Sequence, residues 1–366
     1  NEKKLTKLIK SGDVDHVIDD FKEQLKELFA IRNPNIVYSS NFEKEFSLYL
    51  KRETKRAPLF LHGKWVYYPW LSKIVHVLPE KEFNEVRTAR NKNLIRDDEQ
   101  ERFYDAVVGI GGLSIGNSIA LALVLKGGCK HIKLADFDRL ALSNTNRIRT
   151  GVNNLGLLKV DMTARQIYEI NPYSKVEIFS KGLHKDNLED FFVGRNKLDV
   201  FVDELDNMAI KYLIRKYAKK YKVPVVMAAD NGDNAVIDVE RYDIDPKLDY
   251  FHGRLGGVTY ESLSKLNKFE IGKTITKYVG YENISERMQE SLLEMGKSLV
   301  SWPQLGNTAL INGSIIAYII RRIVNNEPII NNRAIISLDE KLIPDYNSRK
   351  EKDKRKKVVN YFKEVF

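Results

Sequence analysis

The spacing of apolar positions changes period twice along the chain. Over residues 14–29, Val17, Ile18, Phe21, Leu25, Leu28 and Phe29 recur at helical spacing between acids and lysines, and the chain up to about residue 60 reads as helix with charged faces. At 59–77 aromatic and β-branched residues gather around Pro69, in WVYYPW (65–70) and IVHV (74–77), which predicts a hairpin or two short strands. From residue 104 short apolar runs alternate with longer amphipathic ones. This rhythm predicts strands at 105–110, 131–136, 175–179, 198–202 and 224–229, and helices at 115–126, 157–170, 187–192 and 208–221. A further strand, parallel or antiparallel, is expected at 234–242, and a long apolar helix at 305–324 would close the domain. Such alternation implies an α/β fold: a mostly parallel sheet with helices on both faces, preceded by a small N-terminal accessory unit. The expected division is an accessory unit at 1–80, a main domain at 81–345 and a basic tail at 346–366.

Composition narrows the class. With 366 residues, 43% of them hydrophobic and 30% charged, the chain can bury a large core. A single cysteine excludes an internal disulfide framework and a zinc site built on paired Cys-x-x-Cys, and the six histidines show no H-E-x-x-H spacing, so no zinc is expected. The apolar runs at 119–125 and 315–320 fall well short of the roughly 18 residues a membrane helix needs, and no targeting segment is visible, so the expectation is a cytoplasmic protein with no membrane partner. The formal charge of +10 raises the question of nucleic acid. Much of the excess lies in RKEKDKRKK (349–357), a run broken by acids and without aromatics, which reads as a solvated tail rather than a nucleic-acid surface. A basic balance also suits a nucleoside triphosphate and an acidic peptide.

The candidate chemistry sits at the carboxyl ends of the predicted strands, where ligands of open α/β sheets bind. GIGGLSIG (109–116) follows the first strand and opens a helix, and Gly109, Gly111 and Gly112 would let backbone N–H groups approach a phosphate. Ser114 stands where a third glycine of a dinucleotide fingerprint would be. Asp136 ends the next strand, at the offset where a carboxylate receives ribose hydroxyls, while Asp138 reads as structural. SNTNR (143–147) then supplies Asn144 and Arg147, and Lys159 opens a later helix. A guanidinium fork and a lysine point charge stabilise charge developing on a phosphate under attack. Arg149 could stand in for Arg147, and Lys159 taken alone reads equally as an exposed helix lysine. Asp206, before Asn207, is placed for magnesium, with Asp203 and Glu204 as alternative carboxylates.

In this order, G-x-G-G-x-x-x-G, D-x-D, S-N-x-N-R, G-x-x-K and D-N resemble the E1-like adenylating superfamily, the ThiF/MoeB/HesA group, over roughly residues 104–242. The resemblance implies a Rossmann-like fold and ATP-dependent adenylation of a carboxylate. It implies that residues 109–112 cradle ATP phosphates, that Asp136 holds the ribose, and that Asn144, Arg147 and Lys159 bind the polyphosphate. Asp206 would bind Mg2+ and orient the α-phosphate. It further implies a homodimer in which an arginine preceding the glycine turn reaches the partner's site. Arg90, in RTAR (87–90), is the candidate, although an exposed helix arginine explains it as well. Many relatives carry a zinc site and a transfer cysteine, and this chain cannot have the former. Cys129 reads as a small buried residue, so the acyl-adenylate would be attacked directly. Zinc-less, cysteine-less members include enzymes that modify ribosomally made peptides, as in the maturation of microcin C7 and pantocin A. The expected substrate is thus a carboxylate on a peptide or small protein, such as a glutamate side chain, and the accessory unit either grips that peptide or serves dimerisation or core coverage.

Three rivals remain open at this stage. Activation of a sulfur-carrier protein's C-terminal glycine is disfavoured by the missing cysteines. An NAD- or FAD-dependent oxidoreductase would leave Asn144, Arg147 and Lys159 without a purpose. A non-catalytic E1-like subunit would be expected to lack one of the phosphate or magnesium residues. For the second step the sequence offers no general base beyond His252, a guess.

Overall fold

The computed structural model describes residues 2–366, and its contacts divide them into two compact units, one up to residue 100 and the other 101–366. Residues 81–100, grouped with the main domain in the sequence reading, cluster with the first unit.

The first unit comprises α1 (Glu2–Ile9), β1 (His16–Ile18), α2 (Phe21–Arg32), α3 (Phe42–Arg56), β2 (Lys64–Tyr68), β3 (Lys73–Val77) and α4 (Glu80–Arg87), and α5 (Asp97–Asp105) leads out of it. The hairpin expected around Pro69 is β2 paired antiparallel with β3 across a 3-10 turn at Pro69–Leu71, closed by Ser72 in the left-handed region. The helix expected over 14–29 is split. Val17 and Ile18 form β1, parallel to β3, and the helix begins only after Asp19 and Asp20. Acids before the first turn favour a helix start there, whereas a β-branched pair favours the strand. Phe21, Leu25 and Leu28 of α2 pack with Phe46 and Leu78 as the unit's core. Gln24 joins α2 to β3, donating to the His76 carbonyl at 2.8 Å and accepting from the Leu78 N–H at 3.1 Å. The fully buried His76 ring lies between Phe21 and Trp65, with centroid distances of 4.1 and 4.2 Å.

The second unit carries β4 (Val107–Gly111), α6 (Ile115–Leu125), β5 (His131–Ala135), α7 (Lys159–Ile170), β6 (Lys175–Phe179), α8 (Leu188–Val193), β7 (Val200–Asp203), α9 (Met208–Tyr221), β8 (Val225–Asn231) and β9 (Asn234–Glu240). There follow α10 (Tyr260–Ser264), α11 (Lys268–Val279), α12 (Glu286–Leu293), α13 (Gly306–Val324), β10 (Arg333–Ile336), α14 (Leu338–Leu342) and α15 (Arg349–Val365). The seven strands lie in the order β10-β9-β8-β7-β4-β5-β6. The five from β8 to β6 are parallel, β9 runs antiparallel to β8, and β10 pairs antiparallel with β9. Helices α6, α7 and α13 cover one face and α8 and α9 the other, each over its own apolar cluster. This is the expected Rossmann-like α/β architecture. Because β4 pairs with β5 on one side and β7 on the other, the strand order reverses at β4, and a crevice opens at the carboxyl ends of β4 and β7.

The basic segment at 346–366, expected as a solvated tail, is helical. Its α15 buries Phe362 against Val279, Ile284, Met288 and Leu292 while the lysines face outward, an amphipathic solution that charge counting alone hides. Among the described residues no helix is long and apolar enough to cross a membrane.

A buried ionic network fixes β7, α9 and β9 to one another. Arg215, fully buried, donates to Asp203 and, at 2.9 Å, to Glu240, and stacks on Phe251 with its guanidinium carbon 4.4 Å from the ring centre. Lys211 adds a contact to Asp203 at 3.1 Å, and Glu240 also accepts from the Tyr242 hydroxyl and the Phe251 N–H. Burial alone would raise the Asp203 carboxyl, but Lys211 and Arg215 hold it below its ordinary range. Removing one member leaves buried charge without compensation. Asp203→Ala is therefore expected to cost about 3–5 kcal/mol of stability, read as a lowered urea midpoint. A loss below about 1 kcal/mol would contradict a buried, mutually dependent network.

Candidate functional site

The turn after β4 is shaped by close packing. Gly109 lies within the strand, where a Cβ would run into Phe191 and Leu198, so it serves the core and not a ligand. Gly112 has φ +87°, and a Cβ there would overlap the Glu204 carbonyl. The N–H groups in the turn itself are consumed. Gly112 donates to the Ala135 carbonyl at 2.9 Å and Leu113 to Asp136 Oδ2 at 2.7 Å. The donors left to meet a phosphate are the N–H groups of Ser114, Ile115 and Gly116 at the start of α6, which have no carbonyl partner within the helix. The expected cradle at 109–112 is thus displaced by one turn: the glycines permit the bend, and the next residues present the donors.

Asp136 is buried at the end of β5, and each of its oxygens accepts one backbone N–H, from Leu113 and from Asp138 at 2.7 Å. Burial raises its carboxyl, an effect opposed by Lys159 and by these two hydrogen bonds. Each oxygen keeps a lone pair, which leaves room for ribose hydroxyls. Lys159, first residue of α7, is buried rather than an exposed helix lysine. Its Nζ donates to Asp138 Oδ2 at 2.8 Å, and its N–H to the Asp138 carbonyl at 2.9 Å. Asp138 thereby fixes the lysine beside Asp136 with ammonium protons to spare.

Arg147 is held on three sides. Nε donates to Ser114 Oγ at 2.8 Å, and Nη1 to the Ser143 carbonyl at 3.1 Å and to Asn146 Oδ1 at 3.0 Å. Nη2 makes no hydrogen bond among the described residues, so one edge of the guanidinium, oriented by the other three contacts, is available. Half-burial lowers the Arg147 pKa, while Asp230 and then Asp206 counter that effect. Ser114, the departure from a glycine fingerprint, is therefore the residue that ties this arginine to the α6 N-terminus. Asn144 uses its acceptor oxygen for local structure and keeps its Nδ2 donors uncommitted among the described residues. Its Oδ1 accepts the Ala141 N–H at 2.9 Å and closes the 3-10 turn Leu142–Asn144 that carries the chain to Arg147. The exposed Arg149 contributes its carbonyl, to Gln166, and no side-chain contact among the described residues.

Of the three acids at the end of β7 and just beyond it, Asp203 is spent in the ionic network. Glu204 accepts the Ala228 N–H at 2.9 Å, and burial pushes its carboxyl well above the ordinary range. Neither suits a cation. Asp206 is exposed and makes no hydrogen bond or ion pair among the described residues, while Asn207 beside it caps α9 by accepting the Ile210 N–H at 3.1 Å. Among the described residues no three His, Cys, Asp or Glu side chains stand together as a metal cage. One uncommitted carboxylate at the crevice mouth fits Mg2+, which fills its remaining positions with phosphate oxygens and water.

Cys129 is fully buried two residues before β5, and burial drives its thiol far above the usual range, which disfavours the exposed thiolate that acyl transfer uses. His252 sits on the 3-10 turn Tyr250–Gly253 with its Nε2 3.1 Å from the Val239 carbonyl, and burial lowers its pKa. It is a structural histidine. Arg90 lies exposed in the first unit, on the turn Ala89–Asn91. Sequence reasoning missed Asp230, at the end of β8, whose 2.7 Å bond from Asn312 joins residues far apart in the chain.

A reversed strand order at β4 and a glycine bend fastened by a buried carboxylate are the arrangement of nucleotide-binding α/β proteins. Residues 88–241 match the ThiF family, so this stretch of the chain is a ThiF family domain. An uncharacterized protein of Mycobacterium tuberculosis is 33% identical over 88% of this chain and 45% of its own length. The tRNA threonylcarbamoyladenosine dehydratase of Escherichia coli is 33% identical over 36% of this chain and 48% of its own. The chain thus spans about half the length of these curated relatives. The crystal structure of PaaA shares the fold at TM-score 0.50 and 20% identity, over 71% of this chain and 77% of that one.

The Ser114 hydroxyl is the testable novelty of the site. Ser114→Ala is expected to weaken ATP binding about tenfold, since a hydrogen bond to a charged group contributes about 1.5 kcal/mol or more, with the melting temperature unchanged. Calorimetric titration with ATP decides it, and an unaltered affinity would contradict the assigned role.

Proposed function

We propose that this chain is an ATP- and Mg2+-dependent enzyme that adenylates a carboxylate of a peptide substrate and passes the acyl group directly to its acceptor. Family membership supports the reaction class. The observation that carries the reading is the set of uncommitted groups around one crevice: Arg147 Nη2, the spare protons of Lys159, the N–H groups opening α6, and the Asp206 carboxylate. Hydrogen-bond donors on three sides suit a triphosphate, and the lone acid suits its cation.

In this reading Asp136 orients the ribose, and Lys159 and the α6 N-terminus hold the phosphates. The substrate carboxylate attacks the α-phosphorus, an O–P bond forms, the bond to the β-phosphate oxygen breaks, and pyrophosphate leaves with the electron pair. Arg147, unable to swing away, stabilises the charge that develops on the α-phosphate. Magnesium at Asp206 would neutralise phosphate charge. The acceptor then attacks the carbonyl carbon, and AMP departs as a far better leaving group than oxide. The inert Cys129 supports direct transfer without an enzyme thioester. A peptide substrate and the maturation of a ribosomally made precursor are the finer part of the proposal, as are a cytoplasmic homodimer and a role for Arg90 across it. The first unit's small sheet is the part of the chain proposed to hold the peptide. The relative that acts on tRNA defines the competing substrate.

Arg147→Ala and Asp206→Ala are each expected to reduce substrate-dependent ATP–pyrophosphate exchange by at least about a hundredfold without lowering the melting temperature. Exchange is to be assayed with a precursor peptide, a Gly-Gly-ending carrier protein and threonylcarbamoyladenosine-bearing tRNA in parallel. Exchange preserved in both variants would overturn the site, and exchange driven by the carrier or the tRNA alone would overturn the peptide assignment.

A further inference from the structure

Beyond these groups, the crevice contains a carboxylate with no place in the reaction as described. Asp230, 8% exposed, stands at the carboxyl end of β8. Its Oδ1 accepts from Asn312 Nδ2 of α13 at 2.7 Å, and its Oδ2, although buried, makes no hydrogen bond among the described residues. The segment leading into α13 connects this acid with the arginine loop. Asn146 Nδ2 donates to the Gln304 carbonyl at 2.8 Å, and Gly306 packs so closely on the Asn146 carbonyl that a Cβ there would overlap it.

The charges that face Asp230 are few. Arg147 attracts it, the amides of Asn312 and Gln304 favour its anion, and Glu204, across the end of β7, is the nearby acid. Arg147 in turn has Asp230 as its leading counter-charge. Its Nε and Nη1 are bound to Ser114, Ser143 and Asn146, so only the Nη2 edge is left to serve either this acid or a ligand.

We propose that Asp230 is a positioning residue for Arg147: in the free enzyme its carboxylate balances the guanidinium, and when the triphosphate takes over that role Asp230 binds a proton. This rests on the ATP site proposed above. The physical reason is that a buried anion tolerates its burial only while a counter-charge is dedicated to it. A triphosphate on Arg147 both shares that counter-charge and adds negative charge beside it. Burial already pushes the Asp230 carboxyl up to about 6, so the further rise needed to protonate it near neutrality is small. The proton comes from solvent and returns to it when the phosphates leave, and no bond other than O–H is made or broken.

Because the complex would hold the proton more tightly than the free enzyme, ATP affinity must rise as pH falls through neutrality. The test is calorimetric titration of the full chain with Mg·ATP, in buffers of differing ionisation enthalpy, between pH 6 and 8. Wild type is expected to take up roughly half a proton near pH 7 and to lose up to about tenfold in affinity by pH 8. Asp230→Asn, a permanent mimic of the protonated acid, should take up less and bind Mg·ATP at pH 8 more tightly than wild type. A merely structural role would instead weaken binding at every pH. Should Asp230→Asn fail to fold, Asn312→Ala, which removes a donor to the anion, should move the affinity loss to higher pH. Binding by wild type without proton uptake beyond that of Asp230→Asn, or an Asn312→Ala profile unmoved, overturns the inference alone. No Mg·ATP binding by wild type overturns the ATP site and this inference with it.

Discussion

One carboxylate holds the crevice together. Asp136, at the end of β5, accepts the N–H of Leu113 in the turn after β4 and the N–H of Asp138 beyond its own strand. The first bond fastens the glycine bend so that α6 starts at the carboxyl end of β4, in the interior of the sheet. The second sets the direction in which the chain leaves β5 toward Asp138, Asn144 and Arg147. Without it neither the helix terminus nor the arginine loop has a fixed address. The same carboxyl is proposed to orient the ribose, so a bond that shapes the protein also shapes the ligand site.

From that anchor the site is assembled by charged groups held by others. Lys159 is placed by Asp138, and Arg147 by Ser114, Ser143 and Asn146, with Asp230 and Asp206 balancing its charge. Each cation keeps protons uncommitted while its position is set by the rest. Cations fixed in this way stabilise developing charge without a reorganisation cost. The interior of the unit follows a different logic: Arg215, Asp203, Glu240 and Lys211 neutralise one another in a buried network and leave Asp206 as the exposed acid.

Much of this was legible in the chain because local pattern decides it. Alternating apolar runs placed β4 to β9, and the order of glycines, Asp136, Arg147, Lys159 and Asp206 placed the crevice residues on consecutive strand ends. What escaped depends on partners distant in sequence. Val17 and Ile18 fit a helix face until their pairing with β3 is known, and the basic C-terminal run hides the apolar stripe that buries Phe362. Ser114 looked like a blemish in a glycine motif because its function lies in a contact with a loop more than thirty residues later. Asp230 and Asn312 carry no local signal at all, since a buried acid is defined by what surrounds it.

The central claim is that this crevice presents the α-phosphate of ATP to a carboxylate, and the most direct measurement is a crystal structure of the full chain with Mg2+ and a non-hydrolysable ATP analogue. The account predicts the ribose hydroxyls on Asp136, phosphate oxygens within about 3 Å of Arg147 Nη2, Lys159 Nζ and the N–H groups of Ser114 and Ile115, and the metal on Asp206. An analogue bound with its phosphates away from Arg147 and Lys159, or a metal held by Asp203 or Glu204 in place of Asp206, would contradict it.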